Sequence, residues 1–302
     1  MWPTSEMLMR AGLTRAEYDE RLRQERATWA ADQYGGDHAA RRSLHAQRWV
    51  EFFSMLNMTP DVGTCERVTR VLVVGCGLGA HEYDACRQFP NATIDALDLA
   101  EPTAEPTAWT DARSAFPGRI AYHAGMDVQK DQPGRGYEVI VALSVLHHCP
   151  FIEEAWANIY DMLMPGGIVM VSEYIGGRGL QAEPLRDRVA ARLWDVLPVS
   201  YKTYADGRVQ IPRTGYSAAA AIGFESICSP RLRGAAMRAG FAMISERVLH
   251  PLSAYRLIPL GQRTQAASNP EIDRVIEAFE EILMSEGWLS GEDWYALLGK
   301  AK

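Results

Sequence analysis

Residues 68–89 read VTRVLVVGCGLGAHEYDACRQF. A run of β-branched and apolar residues ends at Val74, Gly75, Gly77 and Gly79 follow, and a segment with helical spacing of apolar residues begins. This is the pattern of a buried strand, a tight turn and a helix. The glycines let the backbone turn sharply and approach a bound ligand with no Cβ in the way, and the first amides of the helix face the same place. The letters also satisfy G-x-G-x-x-A through Ala80, so the turn alone fits a dinucleotide as well as other adenosine ligands.

Outward from this turn, short apolar runs alternate with helical segments. Runs at 92–99, 119–125, 137–146 and 167–175 read as buried strands, with a helix over about 151–163, and each gap suits a crossover. The rhythm breaks over 179–228, where Pro, Tyr and Arg are scattered, and resumes with a helix near 230–239. A strand at 241–249, a His250-Pro251 turn and a strand at 253–260 read as a closing hairpin. A last helix over about 270–286 starts after Asn269-Pro270. Before the first strand, Thr14 and Glu17 form a capping-box signature, and a second amphipathic helix is expected over about 37–57. These two helices read as a cap, as an oligomer contact, or as packing for the core. The expected architecture is an α/β mostly parallel sheet covered by helices, with domains at 1–62 (helical cap), 63–178 and 229–262 (sheet core), 179–228 (insert) and 263–302 (helix and tail).

Composition narrows the function. In 302 residues, 31 Lys+Arg stand against 38 Asp+Glu, a formal charge of -7, so no global positive field attracts nucleic acid or anionic lipid. The longest apolar runs fall far short of the roughly 20 residues that cross a bilayer, and the start, MWPTSEMLMR, lacks the layout of a signal peptide. The expectation is a cytoplasmic protein with no nucleic-acid or membrane partner. The odd number of cysteines, Cys65, Cys76, Cys86, Cys149 and Cys228, and their wide spacing suit reduced thiols, and adjacent His147-His148-Cys149 does not provide metal-ligand spacing.

Further motifs lie in register with the glycine turn. Asp98 closes the second strand, where a carboxylate can accept from both ribose hydroxyls of an adenosine; Asp127 follows the third, and SVLHHC (144–149) and LMPGG (163–167) flank the helix before the fifth. In that order, over roughly 68–260, they resemble the class I S-adenosylmethionine-dependent methyltransferases, in particular a bacterial small-molecule group in glycan or natural-product pathways. EYIGGRGLQ (173–181) and FESICSPRL (224–232) add to that likeness. The resemblance implies a Rossmann-like seven-stranded sheet, six strands parallel and the last antiparallel, with S-adenosyl-L-methionine as cofactor. It implies cofactor contacts from Gly75, Cys76, Gly77, Gly79, Asp98, Leu99, Met126, Asp127, Leu143 and Ser144, with Asp127 at the adenine amino group. One departure stands out. The family's acidic residue two positions before the first glycine is Val73 here, so the cofactor ammonium is expected on backbone carbonyls near Gly75 and Ala142–Ser144.

Strand carboxyl ends form the crevice of an open α/β sheet, which places His147, His148, Glu173 and Tyr174 at one mouth. His147 is the expected base for a hydroxyl or ammonium acceptor. Glu173, a carboxylate at the inner end of an apolar strand, is the second catalytic candidate, with Tyr174 beside it; the alternative for Glu173 is an ion pair with Arg178 or Arg186. His148, Arg178, Gln181 (the last by resemblance only), Trp194, Tyr201 and Tyr204 are assigned to a small-molecule acceptor. The insert's Arg and Lys residues could equally form a solvated face, and its aromatics a small lid core. The expected activity is methyl transfer to a small molecule, at oxygen or nitrogen by preference and at carbon as an alternative. A non-catalytic cofactor-binding subunit and an NAD(P)-dependent oxidoreductase remain the other readings.

Overall fold

The computed structural model describes residues 2–30, 49, 52, 55, 62–77, 81–102, 105–174, 184–202, 231–249, 270–286 and 293–301. The elements are α1 (Ser5–Arg10), α2 (Arg15–Ala30), α3 (Val62–Arg67), β1 (Arg70–Val74), α4 (His81–Gln88), β2 (Thr93–Asp98), α5 (Thr107–Ala115), β3 (Ile120–Ala124) and β4 (Tyr137–Leu143). After them come α6 (Ile152–Met162), β5 (Leu163–Tyr174), α7 (Pro184–Val196), α8 (Leu232–Arg238), β6 (Ala242–Leu249), α9 (Pro270–Ser285) and β7 (Asp293–Gly299). Short 3-10 turns lie at Leu146–His148 and Val199–Lys202.

The seven strands form one sheet in the order β3-β2-β1-β4-β5-β7-β6. β1 pairs in parallel with β2 and β4, β2 with β3, and β4 with β5. β7 runs antiparallel to both neighbours. This is the expected Rossmann-like sheet, with one strand reversed.

Alternating side chains divide the core between the two faces, as the two-residue period of a strand requires. Leu72 and Val74 of β1 join Ile140, Ala142, Val169 and Val171 under Trp156, Ile159 and Met162 of α6 and Leu232, Ala235 and Ala236 of α8. Val71 and Val73 point the other way, to Val139, Val141 and Met170, covered by Ala85 and Cys86 of α4 and by Trp49, Phe52 and Met55. These last three lie in the segment read as the second N-terminal helix. Trp49 is 1% and Phe52 0% exposed, and their rings meet Phe89 and Tyr295, so this part of the chain packs on the sheet.

The seventh strand corrects the sequence reading. β6 pairs with 293–299, which is inserted between β5 and β6; the expected strand 253–260 lies outside the described residues. The tail expected to lie outside the core therefore supplies an interior strand. DWYALLG carries mixed local propensity, and the central position overrides it by burying Trp294, Ala296, Leu297 and Leu298 completely. The turn glycines of LMPGG meet the same tail: Gly166 N–H donates to the Lys300 carbonyl at 2.9 Å, and Lys300 N–H to the Gly167 carbonyl at 3.1 Å. The Lys300 ammonium caps the end of α6, donating to the carbonyls of Tyr160 and Leu163 at 2.6 and 2.9 Å.

At the N-terminus the capping box forms as read. Thr14 N–H donates to Glu17 Oε2 at 2.8 Å, and Glu17 N–H to Thr14 Oγ1 at 3.2 Å. The additional helix α1 was not legible. With α2 it sets Met7, Leu8, Leu13 and Tyr18 against Phe151, the residue just before α6.

The position of β7 makes a direct prediction. Leu297→Ala should lower unfolding free energy by about 2–5 kcal/mol, the usual cost of emptying a fully buried leucine site. Urea titration measures it, and a loss below about 0.5 kcal/mol would place the tail outside the core.

Candidate functional site

The glycine turn is held from both sides. Gly75 (φ +71°) and Gly77 (φ +54°) adopt the left-handed conformation that glycine alone takes readily. The N–H groups of Gly75 and Cys76 donate to the Leu97 carbonyl at 2.9 and 3.1 Å, tying the turn to β2. A Cβ at Gly75 would sit 2.3 Å from Val145 Cγ2, so this turn and the loop after β4 are in contact. A Cβ at Gly77, by contrast, meets nothing within 4 Å. Beside that open space, Asp98 Oδ2 accepts from Gly77 N–H at 2.7 Å and Oδ1 from Ala100 N–H at 2.8 Å. Burial holds the Asp98 carboxyl above its ordinary range, and the nearby Glu25 adds to that, while the two amides and His148 act in the opposite direction.

Behind Gly77 stands a support that the sequence did not reveal. Trp109 Nε1 donates to the Gly77 carbonyl at 3.1 Å. The indole stacks on Tyr122 at 4.2 Å with planes 7° apart, and the Tyr122 hydroxyl donates to the buried Glu82 at 2.7 Å. Burial and then the Glu82 charge raise the Tyr122 hydroxyl's pKa, so the phenol stays a donor. No spacing rule joins a helix tryptophan, a strand tyrosine and a glutamate under the turn, so only the fold brings them together.

The second half of the site is the loop leaving β4. Ser144 sits at φ +55°, an uncommon conformation for a non-glycine residue, and its N–H donates to the Ser172 carbonyl at 2.7 Å. The loop then folds over Glu173, which is 1% exposed. Glu173 Oε1 accepts from the N–H groups of Val145 and Leu146 at 2.8 and 2.7 Å. Its Oε2 faces His147 Nδ1 at 2.6 Å and His147 N–H at 3.4 Å. Next to it His148 Nδ1 lies 2.8 Å from Glu25 Oε1, which reaches in from α2.

Residues 72–169 match the family described as "Methyltransferase domain". Over that stretch, about a third of the chain, the sequence is similar to methyltransferase domains. The domain is 29% identical over 106 residues to a sterol 24-C-methyltransferase of Clavispora lusitaniae, covering 35% of this chain and 28% of that protein. It is 27% identical over 120 residues to the polyketide synthase ThaQ of Burkholderia thailandensis, covering 39% of this chain and 6% of that protein. The chain thus spans less than a third of the length of these curated relatives. Among solved structures, phosphoethanolamine N-methyltransferase 2 of Haemonchus contortus, in complex with S-adenosyl-L-methionine, superposes with TM-score 0.50 at 15% identity. That superposition covers 98% of this chain and 60% of that one, and it shows the shared fold.

The methyltransferase domain gathers most of the residues expected from the sequence. Gly75, Cys76, Gly77, Asp98, Leu99, Leu143 and Ser144 lie at the carboxyl ends of β1, β2 and β4, and Met126 and Asp127 lie just past β3. Asp127 is buried, and its Oδ1 accepts from both N–H and Nε2 of Gln129 at 3.0 and 2.9 Å. Gln129 Oε1 in turn accepts from Phe151 N–H at 2.8 Å, fixing this loop to the start of α6. Val73 is 1% exposed within β1, as expected of an apolar residue there.

Glu173 is enclosed: the N–H groups of Val145, Leu146 and His147 and the His147 ring surround its carboxylate. Of the expected partner arginines, Arg178 lies outside the described residues, as does the side chain of Arg186. Trp194 packs with Ile276 and Leu283, joining α7 to α9. Gly79, Arg178, Gln181 and Tyr204 lie outside the described residues, as do the side chains of Tyr174 and Tyr201. Cys65, Cys76, Cys86 and Cys149 are buried thiols, and burial drives the Cys76 thiol well above its ordinary range. Among the described residues no group of three His, Cys, Asp or Glu could hold a metal ion, and no helix is long and apolar enough to cross a membrane.

The Glu173 arrangement is testable without any ligand. Glu173→Gln replaces one acceptor oxygen by a donor that faces N–H groups, and it should lower stability by about 1–3 kcal/mol. Chemical denaturation measures this, and an unchanged midpoint would mean that Glu173 does not hold the loop. Gly75→Ala should also destabilise the fold, through both its left-handed φ and its contact with Val145; a melting temperature equal to wild type would contradict that geometry.

Proposed function

We propose that the chain catalyses methyl transfer from S-adenosyl-L-methionine to a small-molecule acceptor, at oxygen or nitrogen. The observation that carries this reading is the nearness of Asp98, beside the open Gly77 turn, to His148 of the His147–His148 pair. The residues present fit the cofactor. Asp98 offers a buried carboxylate for the ribose hydroxyls, Asp127 an acceptor for the adenine amino group, and the backbone of Gly75 and Ala142–Ser144 offers carbonyls for the ammonium. When bound, the cofactor supplies an electrophilic methyl group on a sulfonium.

The chain's own task is then alignment, exclusion of water and removal of a proton where the acceptor carries one. Imidazole is suited to the last step near neutral pH. The helices α1 and α2 and the 179–228 insert are assigned to covering the acceptor. Methylation at carbon is the second reading, supported by the named activity of the sterol 24-C-methyltransferases that the domain is similar to. The acidic balance of the composition supports a small acceptor over nucleic acid.

Isothermal titration with S-adenosylhomocysteine and with NADH tests the cofactor. Micromolar binding of the first and none of the second is expected, and the reverse would overturn the reading. Asp98→Asn should weaken S-adenosylhomocysteine binding at least tenfold, about 1.4 kcal/mol, since an amide matches the Gly77 and Ala100 N–H groups with only one oxygen. The pH dependence has a fixed sign. Because burial raises the Asp98 pKa, acidification neutralises it earlier than a surface aspartate of pKa about 3.9. Affinity should therefore fall on acidification at a higher pH than ionisation of an ordinary surface aspartate would give; an affinity that falls only where a surface aspartate titrates would contradict the role of Asp98.

A further inference from the structure

Two adjacent imidazoles each face a buried carboxylate, and the two pairs are built differently. His147 Nδ1 meets Glu173 at 2.6 Å, and His148 Nδ1 meets Glu25 at 2.8 Å; the ring centroids are 4.2 Å apart with planes tilted 39°. Glu173 also accepts backbone N–H groups of the β4 loop, so its pair is part of a clamp. Glu25 comes from a different element, α2, whose sequence RAEYDERLRQERATWA is charged along most of its length. Glu20 and Arg23 on that helix pair with each other in solvent, whereas Glu25 is 3% exposed at the strand-carboxyl mouth. Burying a carboxylate costs free energy unless a partner of suitable chemistry compensates. His148 stands in ion-pair contact with it, and its side chain is 11% exposed against 6% for His147.

We propose that α2 completes the active site, with His148 as the proton acceptor and Glu25 as the residue that positions it. This rests on the methyltransferase reading above and extends it. In the tautomer that carries its proton at Nδ1, on the Glu25 side, the basic lone pair is at Nε2. The O–H or N–H bond of the acceptor breaks, the proton forms a bond to Nε2, and the electron pair stays on the acceptor atom. The imidazolium charge faces the Glu25 carboxylate, which stabilises it until the proton passes to solvent. The groups around His148 are Glu25 from α2, His147 at its side, and Asp98 at the end of β2, whose carboxyl responds to both Glu25 and His148. The inferred acceptor class is a molecule whose nucleophilic atom carries a proton, a hydroxyl or a protonated amine, and not an alkene.

Histidine-selective NMR on the full-length protein, with the His148 resonance assigned by its loss in His148→Gln, tests this without knowing the acceptor. Below its titration midpoint both nitrogens are protonated; above it, 15N shifts should show Nδ1 protonated and Nε2 not. In Glu25→Gln the His148 midpoint should fall by about one pH unit or more, since an opposite charge in contact favours the charged imidazole. Glu25→Asp should recover part of the shift. An unmoved midpoint in a folded Glu25→Gln, or an Nε2-protonated tautomer in the wild type, overturns the proposal. The tautomer measurement decides by itself if Glu25→Gln does not fold. Failure of the wild type to bind S-adenosylhomocysteine overturns the broader reading instead, and the two failures are distinguishable.

Discussion

A buried carboxylate organises the mouth of this sheet. Glu173 ends an apolar strand, where an isolated charge is costly, and the cost is offset by the N–H groups of Val145 and Leu146 and by His147. That set of bonds determines where the loop after β4 goes. Val145 then lies against Gly75, at a distance no side chain on residue 75 would permit, so the glycine turn after β1 rests on the loop that Glu173 holds. The halves assigned to cofactor and acceptor are thus mechanically one piece.

The flanking elements follow from this arrangement. β5 can carry Glu173 in place only if it is paired on both edges, and β7 supplies the second edge, with Glu173 opposite Trp294. The chain's last residues therefore bear on the site through the strand they pair with. On the other side, α1 and α2 dock through Met7, Leu8, Leu13 and Tyr18 on Phe151, just after the His pair, which brings Glu25 to His148. The terminal segments, which lie outside the matched domain, are both tied to its mouth.

Much of the sheet was legible because its strands are local patterns. The runs ending at Val74, Asp98 and Leu143 each bury a continuous apolar segment, and the glycines at 75 and 77 announce the turn by composition alone. Asp98 was equally readable, since its place at a strand end is a matter of spacing. What the sequence could not convey depends on contacts between distant segments. β7 lacks the propensity of a strand and is made one by its neighbours. The loop that surrounds Glu173 and the packing of Trp194 against α9 both join segments far apart in the sequence. Glu25 is indistinguishable in the sequence from the other acidic residues of α2, and only tertiary packing sets it apart.

The central claim, that this crevice holds S-adenosylmethionine between Asp98 and the paired histidines, is tested most directly by a crystal structure with S-adenosylhomocysteine. The account predicts the ribose hydroxyls on the Asp98 carboxylate, the adenine near Asp127 and the thioether sulfur on the side of His147 and His148. Density for the ligand elsewhere in the fold, or with its ribose away from Asp98, would contradict it.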